Sequence, residues 1–175
     1  FVGVNLNLGG RDKQSRAHDI AQIHDAFDQA RDWIEQKKVS QRPGDLSKRE
    51  LKVLARLIEG EGRLFVHANR QSDIEQALSF SKTIKAPLTI VGAHEAWRLA
   101  GRLSAAGVSV IMNPVHNAPT NFDRIATHPK AISILLANGV DVALSTFSAH
   151  QVRKLRQWAG NAVRDGMPYP DAIRA

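Results

Sequence analysis

The chain has 175 residues, 43% of them hydrophobic and 23% charged, a globular balance and enough length for one domain with a real core, which excludes disorder as the default. It has no cysteine, which excludes disulfides and thiolate metal sites and leaves histidine, carboxylate or backbone oxygen to hold any metal. The formal net charge of +7 directs attention to anionic partners, but the basic residues are scattered along helices, and no apolar run approaches the ~20 residues that span a bilayer.

The glycine-rich opening "GVNLNLGG" (3–10) lacks the lysine and spacing of a phosphate loop and reads as a turn. Residues 15–38 then predict a long amphipathic helix, with Ile20, Ile23, Phe27, Ala30 and Ile34 on one face. "SQRPGD" (40–45) is a turn, and 46–60 a second helix with Leu51, Leu54 and Leu57 inward. "RLFVHA" (63–68) is a β-rich run leading into a helix over 72–84, where Ser72 and Glu75 fit a capping box. "PLTIVGA" (87–93) is the next strand and 94–107 the next helix, closed by Gly107. A third strand at 108–114 is followed by a helical stretch over 121–139 that Pro129 interrupts. A fourth strand at 140–146 precedes a helix over 150–166, with Val152, Leu155, Ala159 and Val163 inward, and a short final helix starts after Pro170.

Strands alternating with helices imply a parallel sheet with right-handed crossovers. A four-strand array leaves edges at 63–68 and 140–146, whose unpaired backbone invites another chain. The expected fold is therefore α/β: a small open sheet, or half of a closed barrel, with a helical lead-in at 1–62 and the strand–helix array at 63–175. A start at Phe1 and an abrupt end fit a piece of a longer protein. A homo-oligomer, or pairing with the missing barrel half, follows as an expectation. The sequence leaves the compartment open between cytoplasm and export.

Polar residues gather where the strands end, which is where parallel α/β folds build their sites. The strands end in His67 and Asn69, in Gly92 and His94, in Asn113, His116 and Asn117, and in Ser145, Thr146 and Ser148. His67 is either a ligand to metal or substrate, or a histidine that closes its strand through a backbone hydrogen bond. Asn69, Asn113 and His116 are the candidates to contact a small-molecule substrate, although asparagine also serves strand-to-helix turns for backbone reasons. Asp73 reads as a first-turn acid favoured by the helix dipole, Trp97 and Trp158 as packing, and His150 as a loop residue. No serine nucleophile motif and no paired-carboxylate cleft is visible, and neither nucleic acid nor membrane is expected as a partner.

Together, "VHANRQSDIEQAL", "VGAHEAWRLAGRLSAAGVSVIMNP", "LLANGVDVALST" and "LRQWAGNAVRDG" resemble the second half of an amidohydrolase-superfamily protein, nearest its imidazolonepropionase-related branch. The resemblance implies strands five to eight of a (β/α)₈ TIM-type barrel that uses a divalent metal such as zinc to activate water against non-peptide or dipeptide-type C–N bonds. It implies metal-ligand histidines at the ends of strands five and six and an aspartate at the end of strand eight. His67 falls on the first position. Gly92 falls on the second, with His94 two residues on as the substitute ligand. Phe147 stands where the aspartate is expected, and phenylalanine neither binds a cation nor moves a proton. The alternative is a degenerate relative without metal that binds a small molecule or a partner barrel without hydrolysis.

Overall fold

The computed structural model describes residues 2–8, 15–35, 45–116 and 118–175. Five parallel strands make one sheet in the order of the sequence: β1 Gly3–Asn7, β2 Arg63–Ala68, β3 Leu88–Gly92, β4 Ser109–Met112 and β5 Val142–Leu144. The four expected strands all form, the first over its whole expected span and the other three trimmed at their ends. The fifth is a correction. The opening glycine-rich segment is not a turn, because Val4 and Leu6 alternate with Asn5 and Asn7 and pair in register with Leu64 and Val66. Only residues 9 and 10 of that segment lie outside the described residues, as do 40–44 of the second expected turn and Asn117. The 63–68 strand is therefore internal, and β1 and β5 form the edges.

Helices α1 Arg16–Ile34 and α2 Lys48–Ile58 connect β1 to β2. Ser15 caps α1 by accepting from His18 N at 3.2 Å. Ser47 and Glu50 form a reciprocal capping box on α2. Helices α3 Gln71–Ile84, α4 Ala100–Ala105 and α5 Ala131–Ala137 make the next crossovers, α4 entered through a 3-10 turn at Ala96–Leu99. A 3-10 turn at Phe122–Arg124 precedes Pro129, which separates it from α5 as the sequence suggests. Helices α6 Leu155–Arg164 and α7 Tyr169–Arg174 close the chain, α7 beginning one residue before Pro170 and carrying that proline in its first turn. Gly107 and Gly139 end their helices at φ +63° and +78°, a left-handed backbone that a side chain would strain.

The core lies on one face of the sheet. Leu64, Val66, Leu88, Ile90, Val110, Met112 and Val142 meet Phe27, Leu57, Ile74, Leu103 and Leu135 from the helices. Each such large side chain, taken from water, contributes about 1.5–3 kcal/mol. Two expectations fail. Val152 lies in a 3-10 turn ahead of α6 and is 60% exposed. Ser72 does not cap α3, which begins at Gln71 behind Arg70, a residue with no capping side-chain bond.

Period-two alternation sends the other strand residues to the opposite face. Asn7, His67, Val91, Ile111 and Ala143 form one row across it, and Asn5, Phe65, Thr89 and Ser109 the row below. On these rows Phe65, His67 and Ile111 stay half-exposed while Thr89 and Val91 are buried, and Leu136, Asp171, Arg174 and Ala175 border the groove that Phe65 and Ile111 line. Parallel sheets ordinarily bury both faces, so this open face is the feature that positions a site. No helix among the described residues is long and apolar enough to cross a membrane.

Candidate functional site

Strand ends and the loops after them bring the predicted residues to one rim of the sheet. His67 sits one residue from the end of β2, half-buried on the open face. Its backbone carbonyl accepts from Leu8 N at 3.0 Å, but its ring has no hydrogen-bond partner among the described residues. It therefore does not close the strand by side-chain bonding. Burial lowers its pKa from the ordinary value, which favours a neutral imidazole with a free lone pair at neutral pH.

The loop after β3 is the most constrained part of the rim. Gly92 and Ala93 adopt φ +93° and +54° in succession, and Ala93 is wholly buried. A side chain at 92 would run into Asn69 Oδ1, because the Asn69 amide fills the space where that side chain would project. Asn69 Oδ1 is itself buried without a hydrogen-bond partner. The turn sends His94 inward: it is 2% exposed, stacked on the exposed His116 with centroids 6.2 Å apart. Its pKa is lowered to about 4, first by burial, then by the charges of Arg124 and His116, while a bond to the His116 backbone works the other way. Its Nδ1 has no partner.

Asn113 is buried and engaged with backbone. Its Nδ2 donates to Thr146 O at 3.4 Å and its Oδ1 accepts from Val115 N at 2.9 Å, tying the ends of β4 and β5 together. Beyond Thr146, Ser145 Oγ accepts from Phe147 N at 3.1 Å. This holds Phe147 at φ +52° with its ring 45% exposed. Trp97 packs against the core and donates to Ala126 O at 2.8 Å, as a packing residue should.

Several rim residues escaped the sequence reading. Glu95 is 8% exposed. Its two carboxylate oxygens accept from Gln71 N at 3.0 Å and Ala126 N at 3.3 Å, so it supplies the α3 cap that Ser72 was expected to give. Arg16 and Arg70 converge on Asp123 at 2.6 and 2.7 Å, and Arg16 lies 3.4 Å from Asp73. Burial raises the Asp73 carboxyl, with Arg16 and Arg70 opposing it. Asp73 is thus part of an ion network joining α1, α3 and the 122–124 turn, beyond its place in a first helical turn. No local pattern announces such pairs, since Arg16 and Asp123 are far apart in sequence.

The divalent metal implied by the resemblance can be tested against these residues. Among the described residues no three His, Asp or Glu side chains converge into a possible metal group. The space beside Gly92 is taken by Asn69, His94 is enclosed, and Phe147 has no ligating atom. The described residues do not fit a metal centre by themselves. No hydrogen bond or ring contact joins His67 to His94.

Neither a family model nor a curated protein sequence matches the chain. Among solved structures, an amidohydrolase from Thermotoga maritima MSB8 overlays 98% of this chain with a TM-score of 0.86 at 19% identity. The chain spans about half the length of that protein, 49% of which is covered. At this identity the overlay establishes the fold: an α/β arrangement of the kind found in an amidohydrolase barrel.

Proposed function

We propose that the chain forms strands four to eight of an amidohydrolase-like barrel, with β2 to β5 as strands five to eight, and that its strand-end rim receives a small molecule carrying a non-peptide or dipeptide-type C–N bond. The observation that carries this reading is His67: within a fold that overlays an amidohydrolase over nearly its whole length, it presents an unpartnered, neutral-leaning imidazole on the open face at the end of β2. The sequence of residues 66–78, 91–114, 135–146 and 155–166 favours the imidazolonepropionase-related branch. In this reading His67 contacts the reacting end of the ligand, the Asn69 and His116 side chains line its approach, and the other reacting groups come from the facing part of the barrel.

Phe147 favours a second reading, a non-hydrolytic member that binds a small molecule or a partner barrel. The test is elemental metal analysis of the full-length protein and of His67→Ala, paired with turnover of simple amides, cyclic amides and dipeptides. Near-stoichiometric metal and turnover that both fall in His67→Ala support hydrolysis. Metal-free protein without turnover supports the second reading.

A further inference from the structure

Several polar side chains at the strand ends are engaged with their own backbone. Asn113 ties Thr146 O to Val115 N, the Ser145 and Thr146 hydroxyls bond the backbone of residues 147 and 148, and His94 is enclosed. His67 and Asn69, two residues apart at the end of β2, keep free polar atoms. The His67 ring lies half-buried on the open face with no hydrogen-bond partner among the described residues. Asn69 is half-buried as well, and two backbone bonds fix the loops around it: Ala93 N donates to Ala68 O at 2.9 Å, and Glu95 N to Asn69 O at 2.9 Å. This stitching of the β2 and β3 ends turns Asn69 Oδ1 onto Gly92, where it is buried. Nδ2 lies farther from that glycine. It has no hydrogen-bond partner among the described residues and is open to solvent.

A neutral imidazole offers one lone pair, and a carboxamide nitrogen offers two N–H donors. One acceptor and one donor at a single strand end complement a group that carries a carbonyl oxygen next to an N–H. A ligand that displaces water from such a pair and leaves either member unbonded binds poorly, because the unmade bond costs more than a made one returns. We propose that His67 and Asn69 read the amide group of the ligand directly, with Asn69 Nδ2 donating to its carbonyl oxygen and the His67 ring accepting from the adjacent N–H. The ligand class is a secondary amide, open or cyclic, with its N–H unsubstituted. This deepens the proposed function and rests on it, but it needs neither metal nor turnover. Gly92 explains why the donor comes from β2: a side chain at 92 would take the space in which the Asn69 amide lies.

The experiment uses the full-length protein and two probes: pyrrolidinone, which carries the N–H, and its N-methyl derivative, which does not. Ligand-observed saturation-transfer NMR gives a Kd for each. The parent should bind pyrrolidinone roughly tenfold more tightly, the worth of one hydrogen bond. His67→Ala should abolish that preference by weakening pyrrolidinone alone. Asn69→Asp, equal in size but without the N–H donors, should weaken both probes about tenfold. Asn69→Ser should do the same without setting a charge beside Gly92, and urea midpoints show which variants are folded. Binding of neither probe, equal binding of the two by the parent, or unchanged binding in the folded Asn69 variants would each overturn the proposal. Metal that is bound by the parent and lost in His67→Ala would also overturn it, since a metal-bound imidazole has no lone pair to offer, and would leave hydrolysis supported. The expected binding pattern without turnover of any amide would count against hydrolysis and leave this inference standing.

Discussion

Replacing Gly92 with alanine probes why this rim cannot hold a ligating side chain at the end of β3. At φ +93° an L-residue is strained, and left-handed backbone costs roughly 1–2 kcal/mol. The new Cβ would also press into the Asn69 amide, and overpacking of this kind adds roughly 1–3 kcal/mol. Gly92→Ala should therefore lose about 2–5 kcal/mol by equilibrium urea unfolding at pH 7. Asn69→Ala empties the contested space, so in that background Gly92→Ala should cost only the backbone share, about 1–2 kcal/mol. The double-mutant cycle should thus show a coupling of about 1–3 kcal/mol. Additivity to within about 0.5 kcal/mol would refute the reasoning, because it would mean that Asn69 yields freely. A His placed at 92 with Asn69 intact meets the same obstacle.

Glu95→Ala leaves the Gln71 and Ala126 amides without their acceptor. Charged hydrogen bonds of this kind contribute about 1.5–3 kcal/mol, so the variant should lose about that much in urea unfolding, with faster hydrogen exchange at those two amides and a smaller loss in Glu95→Gln. His94 sets an acid limit. With its pKa lowered from 6.5 to about 4 in the folded state, the unfolded chain binds the proton first. Stability is therefore whole above pH 6.5 and drops by about 3 kcal/mol as pH falls to 4. His94→Gln should flatten that difference, and parallel pH–stability curves for the two proteins would refute it.

The sequence shows the elements whose signals are local and periodic. The apolar stripe of α1 predicts its buried face, and the runs at 63–68, 87–93, 108–114 and 140–146 each hold a strand, because burial on a parallel sheet demands β-rich apolar runs. β1 was hidden by composition. Its two asparagines and flanking glycines resemble a turn, and only pairing with β2, through the register of Val4 on Leu64, makes it a strand. The α3 cap failed for a related reason: Ser72 and Glu75 have the local spacing of a box, but Glu95 from the next crossover reaches the helix first. At the site, the sequence placed polar residues at the strand ends, where the structure also has them. It had no means of seeing that Asn113 spends its amide on backbone or that His94 turns inward.

The two ligand positions that the resemblance leaves unfilled fail for different physical reasons. At 92 the obstacle is steric and lies in a neighbour: a side chain there meets the Asn69 amide and a left-handed backbone that strains any L-residue. At 147 the backbone is permissive. Phe147, whose N donates to Ser145 Oγ, lies in the left-handed region, where aspartate and asparagine are enriched and a bulky residue is an outlier. The loop therefore keeps a shape that suits an aspartate better than the phenylalanine it carries. That residue bears strain with its ring exposed toward solvent rather than buried in the core. Strain retained without a packing return is characteristic of positions where the side chain meets something other than its own fold, and an aromatic ring at the end of β5 offers an apolar surface to whatever enters the rim. On the resemblance, phenylalanine at 147 lacks the proton-handling carboxylate expected there, which is why Phe147 separates the hydrolytic from the non-hydrolytic reading more sharply than Gly92 does.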